Sequence, residues 1–212
     1  MTPQRLFSAD ESLLIAQTKA FVEAQMNTDF SGHDHHHVFR VYALSMHLAK
    51  HAHADPLIIA LASLLHDIDD PKRLAVGALA NGVSTYLSQT ALPEDTISRI
   101  QEIIATMSFS AQMSGKQVAT IEGKIVQDAD RLDAIGAIGI GRAFAYGGYK
   151  GRVMYQGDND DDSTIAHFHQ KLLKLADLMN TPEAKRIAAH RSRFLLQFLK
   201  EFNDEWNASI HG

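Results

Sequence analysis

Residues 57–65 read Leu-Ile-Ile-Ala-Leu-Ala-Ser-Leu-Leu, nine positions without a charge and apolar on nearly every helical face. A helix of that kind belongs in the interior, so the rest of the chain has to supply a shell of elements around it. Apolar residues recur at three- and four-residue spacing almost throughout, while the strict alternation of a half-buried strand is nearly missing, and this predicts an all-α protein. A chain of 212 residues with 45% hydrophobic content can bury one substantial core. The expectation is a single helical-bundle domain over 1–212, with its central part at about 31–146 and C-terminal helices at about 163–207 packing on it.

Punctuation along the chain divides that bundle. Ser8 with Glu11 forms a capping box for a first helix to about Met26. Asp34 is an N-cap for a second, ending near Ala52, and Asp55-Pro56 supplies a cap and a first-turn proline for a third, through about Asp67. Further helices are expected near 73–89, 94–107, 116–146, 163–179 and 182–207. Glycines make 146–152 irregular, and 157–162 reads as a solvated acidic loop.

Composition excludes several functions. The formal net charge of -5 offers no general basic field, so neither a nucleic-acid duplex nor an anionic membrane is an expected partner. The absence of cysteine removes disulfides, thiolate metal sites and cysteine nucleophiles, and fits a reducing cytoplasm. No run has the length or apolarity of a signal peptide or a membrane span, so a soluble, cytoplasmic protein is expected, and a homodimer is left open.

His66-Asp67 lies at the C-terminal end of the apolar third helix. A carboxylate there needs a positive partner, because desolvating an isolated charge is costly, and a cation would also be favoured by the negative end of the helix dipole. A divalent metal meets both needs; an arginine or lysine salt bridge is the alternative. "GHDHHHVFRV", residues 32–41, offers four histidines for such a metal. His37 shares a stripe with Val41, Leu44 and Leu48 and points to the core, whereas His36 falls with Arg40 and His47 on the polar side. Periodicity leaves His35 open, on a flank with Phe39, Tyr42 and Met46, and His33 precedes the cap. A lone inward histidine is ordinarily a hydrogen-bonded core residue, and only the His66-Asp67 pair gives His37 another use. In "DADRLD", residues 128–133, Asp130 shares a face with Val126, Ala134 and Ala137, with Asp133 on the adjoining flank and Asp128 pointing elsewhere. Asp130 is preferred as ligand with Asp133 as its support, over the reverse.

His37, then His66-Asp67, then Asp130 resemble the H…HD…D signature of the HD superfamily of metal-dependent phosphohydrolases. More closely, "GHDHHHVFRV", "LLHDIDD", "EGKIVQDADRLDAIGAIGIGRAF" and "HFHQKLLKLADLMNT" are similar to small stand-alone bacterial HD hydrolases of the YpgQ/YedJ-like group, from about Asp34 to Trp206. The resemblance implies an HD-domain helical bundle and carries the metal ligands onto His37, His66, Asp67 and Asp130, with His33 and Asp34 beside the site. In "IIATMSFSAQ", Met107 stands where relatives are expected to carry histidine, which weighs against a second metal.

Two imidazoles and two carboxylates suit one divalent ion, Mn²⁺ first, with Fe²⁺, Co²⁺, Ni²⁺ or Mg²⁺ as alternatives. The expected reaction is hydrolysis of a phosphate ester or anhydride, with Asp67 among the catalytic ligands and Asp70 orienting water or handling its proton. Lys72, Arg73, Lys124, Arg131, Arg142, Lys150 and Arg152 are candidate phosphate contacts, and Tyr146 and Tyr149 candidates for stacking on a base. By family analogy the substrate is a nucleotide or related phosphate, and a nucleoside triphosphate pyrophosphohydrolase is among the activities implied. The competing readings are an iron-dependent HD oxygenase, which Met107 disfavours, and a non-catalytic, metal-stabilised nucleotide-binding or regulatory module.

Overall fold

The structure, a computed structural model, describes residues 6–26, 34–70, 82–157 and 162–211. Among these the regular structure is helical and there is no strand, as the periodicity predicts. His33, Lys72 and Arg73, the first part of the helix expected at 73–89 and most of the acidic loop at 157–162 lie outside the described residues. The chain divides into two compact units, the first holding the described residues up to Ala129 and the second those from Asp130 onward.

In the first unit, α1 (Ala9–Met26) begins at the predicted capping box: the Ser8 amide donates to Glu11 Oε2 at 2.7 Å, and the Glu11 amide to Ser8 Oγ at 3.2 Å. Its buried residues, Ile15, Thr18, Val22 and Met26, form one stripe. α2 (His35–Ala49) is capped by Asp34, whose carboxylate accepts from the His37 amide at 2.9 Å. α3 (Pro56–Leu65) starts at Asp55, which accepts from the amides of Leu57 and Ile58, and from Ile58 to Leu65 every residue is buried. The shell around it is α1, α2 and α5 (Glu94–Met107), all packed on α3. α4 (Gly82–Ser88) joins α5 and reaches α1 through Tyr86, which stacks on Phe21 at 4.3 Å and exchanges a hydrogen bond with Thr18. A short α6 (Phe109–Met113), capped by Ser108, follows; at five residues it is too brief to show a period in the sequence.

α3 ends two residues before the predicted boundary. Past Leu65 the backbone tightens, with the Ile68 amide donating to the Leu65 carbonyl at 3.1 Å and the Asp70 amide to that of Asp67 at 3.3 Å, so the His-Asp pair lies in a turn and not in the helix itself.

The helix expected across 116–146 is two helices, α7 (Ile121–Asp133) and α8 (Gly136–Tyr149). Gly136 adopts φ +79°, in the left-handed region, and the chain turns there. A Cβ at this position would lie 3.1–3.3 Å from three stem carbons of Arg191. Gly136→Ala is therefore expected to lose more than about 1 kcal/mol of stability, from strain and crowding together, measured by denaturant unfolding. α8 runs through Tyr146-Gly147-Gly148-Tyr149, a stretch expected to be irregular, and the chain leaves the helix at Lys150 and Gly151, whose φ is +68°. Gly147 is needed in that helix: a Cβ there would stand 2.1 Å from the Thr164 hydroxyl.

In the second unit, α9 (Thr164–Gln170) gives way to a 3-10 helix (Leu172–Leu178), where one continuous helix was expected over 163–179; Lys171, at φ -132°, marks the break. α10 (Pro182–His211) packs on α8 and on the 3-10 helix. Phe144, Phe168 and Phe198 meet at 5.7–6.0 Å between ring centres, and the row continues through Phe202 to Trp206 and Tyr155.

Candidate metal centre

His37 and the His66-Asp67 pair come together in the first unit. α2 carries His37 inward on its buried stripe and α3 delivers the pair at its C-terminal turn, so the close packing of α2 on α3 produces the meeting. Nε2 of His37 lies 3.3 Å from Asp67 Oδ2, and Nε2 of His66 lies 3.5 Å from Asp67 Oδ1. The two imidazoles stand edge to face, 5.3 Å between centres. Their side chains are 1% and 3% exposed and that of Asp67 12%, so the carboxylate is set between two rings and largely out of water.

The tautomer of His66 follows from its other nitrogen. Nδ1 is 2.8 Å from the Ser63 carbonyl oxygen, which can only accept, so Nδ1 carries the hydrogen and a neutral ring presents a lone pair at Nε2. A lone pair facing a carboxylate oxygen at 3.5 Å is repulsive unless positive charge lies between them. The three residues offer ligand atoms that all lie within 4.8 Å of one another. For a divalent ion with bonds of about 2.1 Å, neighbouring ligand atoms stand about 3 Å apart, close to the spacings seen. The donor set is nitrogen and oxygen only, and the carbonyl-bound Nδ1 is the outer hydrogen bond that ligating histidines ordinarily have.

Around this cluster the sequence readings meet different outcomes. Asp34 caps α2 through the His37 amide and so orients the residue expected to bind metal. Asp70 is half-buried, its amide tied to the Asp67 carbonyl. His36 is exposed, as its polar neighbours implied. His35, left open by periodicity, is half-buried against His36 and Phe39. Lys124 is half-buried on the first turns of α7. Met107 is buried at the end of α5, and its carbonyl accepts from the side-chain amide of Gln127 at 2.8 Å.

Along α7 burial does not follow the simple reading of its three acids. Asp128, on a different face from Asp130, is 0% exposed, while Asp130, in the second unit, is half-buried. Asp133, expected to support Asp130, is buried and accepts from Arg142 Nη1 at 3.0 Å. Arg131, expected to touch phosphate, is buried with its Nη1 donating to the Leu178 carbonyl, which ties α7 to the 3-10 helix. Tyr146, Lys150 and Arg152 do assemble: Lys150 Nζ is 5.7 Å from the Tyr146 ring centre and 5.3 Å from that of Tyr149, and the Arg152 guanidinium is 6.0 Å from Tyr146.

Sequence reasoning passed over three residues that hold the first unit's frame and the α7 corner. Asp69 accepts from the amides of Gly82 and Val83 at 2.7 and 3.1 Å, tying the segment after the His-Asp turn to α4. Glu122, buried, accepts from the Asp55 amide at 3.0 Å with Arg99 at 3.6 Å, anchoring α7 to the start of α3. Arg191 donates to the Leu132 carbonyl at 2.5 Å; burial lowers its pKa, opposed by the charge of Asp133. Each pairs residues dozens of positions apart or carries no motif, and no local pattern marks it.

The HD domain family model matches residues 35–135, which contain His37, the His66-Asp67 pair and Asp130. Over 195 residues the chain is 39% identical to YpgQ of Bacillus subtilis, covering 89% of this chain and 92% of that protein. The crystal structure of B. subtilis YpgQ in complex with ADP superimposes with a TM-score of 0.77 at 38% identity, covering 90% of this chain and 97% of that one. An HD-superfamily hydrolase from Bacillus thuringiensis matches at 41% identity and TM-score 0.74, covering 93% and 99%. Among the described residues no helix is long and apolar enough to cross a membrane. With His37, the His66-Asp67 pair and Asp130 standing in that order inside the matched segment, the chain belongs to the HD superfamily of hydrolases, whose domain binds a divalent metal.

Proposed function

We propose that this protein is a metal-dependent phosphohydrolase acting on nucleotides or related phosphate esters and anhydrides. The observation that supports it most is the Asp67 carboxylate set between Nε2 of His37 and Nε2 of His66, with the second ring held in its ligand tautomer by the Ser63 carbonyl. A divalent ion, Mn²⁺ by preference, is held by these three residues and, on the strength of the "DADRLD" motif, by Asp130. When bound, such an ion supplies Lewis acidity for attack of water on phosphorus. The chain's own residues supply the rest. The Ser63 carbonyl orients the His66 imidazole, and Asp34 fixes the first turn of α2 that carries His37. Asp70, beside Asp67, takes up the proton of the attacking water. Tyr146, Lys150 and Arg152 offer a ring and two cations to a base and a phosphate chain, and Lys72, Arg73 and Lys124 add positive charge.

The nucleotide part of the proposal draws on the relative solved with ADP, 38% identical to this chain. The test is turnover of a panel of nucleoside triphosphates with added Mn²⁺, scoring orthophosphate against pyrophosphate, beside a His66→Ala/Asp67→Ala variant. Release of pyrophosphate by the parent, lost in the variant, is the expected result. A parent that melts higher with Mn²⁺ yet hydrolyses none of the panel would overturn the enzyme reading in favour of a regulatory module.

A further inference from the structure

Two arginines of the second unit, Arg142 and Arg191, converge on the last turn of α7 and the corner that follows it, while Arg131 reaches out from that turn to the 3-10 helix. Arg131 donates to Leu178, Arg142 to Asp133 and Arg191 to the Leu132 carbonyl. The Asp133 side chain is 2% exposed and that of Arg142 16%, so this ion pair is largely desolvated. An ion pair in such surroundings is a poor source of stability, since apolar side chains of equal volume commonly hold a fold as well or better. What it does provide is direction. A guanidinium with planar donors restricts the rotation of the helical turn it grips far more than an apolar contact does.

The gripped turn carries Asp130. Asp133 is its neighbour one turn on, at the i+3 position, and the Ala134 amide is shared between the carbonyls of Asp130 and Arg131, each at 3.2 Å. Rotation at Leu132 or Asp133 is therefore passed directly to Asp130. Arg191 also fixes the corner from outside, its stem lying where any side chain at Gly136 would have to go. We propose that Arg142 and Arg191 are positioning residues for Asp130: by holding Asp133 and the Leu132 carbonyl they set the direction in which α7 presents the Asp130 carboxylate to a divalent cation. The proposal rests on Asp130 being a metal ligand, as read above.

Mn²⁺ titration by calorimetry on the full chain tests it, with no substrate present. Arg142→Met and Arg191→Met, which keep the apolar stem, are each expected to weaken Mn²⁺ binding by about 10–100-fold, and Asp130→Asn at least as much. In the double variant Asp130→Asn/Arg191→Met the arginine loss is expected to vanish, because a residue that acts through Asp130 has nothing left to position. A merely structural arginine gives the opposite result: a lower melting temperature with unchanged Mn²⁺ affinity, or a loss of affinity that adds in full to that of Asp130→Asn, and either of these overturns the proposal. Unchanged affinity in Asp130→Asn instead removes the ligand assignment on which it stands. Should Arg191→Met not fold, Arg191→Lys keeps the charge without the planar fork; an intermediate loss of affinity is expected, and an unchanged affinity overturns the proposal.

Discussion

Asp67→Asn is expected to abolish the response of this protein to divalent metal while leaving the metal-free protein as stable as the parent. The substitution preserves shape and removes charge. In the parent the Asp67 carboxylate lies 3.5 Å from Nε2 of His66, the nitrogen that carries no hydrogen in the neutral tautomer set by the Ser63 carbonyl, and 3.3 Å from Nε2 of His37. An amide in the same place can turn its NH₂ toward the His66 lone pair and donate to it, replacing repulsion by a hydrogen bond. The metal-free variant should then melt at or above the parent temperature. The metal-loaded state loses its only anionic ligand from the His-Asp cluster, so the rise in melting temperature with Mn²⁺ should disappear; for the parent, a metal at 100 times its Kd contributes about 2.7 kcal/mol. Loss of several kcal/mol of charge stabilisation in the transition state corresponds to about a thousand-fold or more in hydrolysis rate. Thermal melts with and without Mn²⁺, and rates under saturating metal, check both parts. An Asp67→Asn protein still stabilised by Mn²⁺ to the parent's extent would refute the assignment.

The second large effect is on stability alone. Phe168 is fully buried on α9 and meets Phe144 from α8 and Phe198 from α10, with ring centres 6.0 and 5.7 Å away. Truncation to alanine removes the ring common to three helices and leaves a cavity that stiff aromatic neighbours fill poorly. The expected loss for Phe168→Ala is about 3–5 kcal/mol, or roughly 6–20 °C in Tm for a chain of this size. Phe168→Leu keeps most of the volume and should recover more than half of it. Mn²⁺ affinity measured below the melting transition should stay within a few-fold of the parent, since Phe168 lies in the aromatic row and not among the candidate ligands. A melting temperature unchanged in Phe168→Ala would mean that the second unit does not depend on this row.

Much of the candidate site was legible because the forces that place it are short in range. The cap at Asp34 acts on the His37 amide three residues on, and the stripe from His37 to Leu48 is a property of one helix. The apolar third helix likewise demanded interior surroundings, and α1, α2 and α5 provide them. The breaks were less legible. Nothing local distinguishes Gly136, which turns the chain at φ +79°, from Gly139 and Gly141, which sit inside α8. At that turn the Leu132 carbonyl accepts from Arg191, 59 residues away, as well as from the Ile135 amide beside it. The burial of Asp128 has a related reason: α7 buries more than one face, so a direction away from that of Asp130 is not a direction into water.

By itself, then, the amino-acid order determined the helical class, the caps that start the helices, and the histidine and His-Asp pair able to bind a metal. Each follows from interactions within about one turn of helix, where the partners are neighbours in the chain. Tertiary structure alone decided that Arg142 and Arg191 are turned onto the end of α7 and Arg131 onto the 3-10 helix, that Glu122 holds the start of α3, and which acids of α7 are buried. Those choices rest on charges and carbonyls far apart in sequence, whose pairing has no energy to report until the fold has removed them from water.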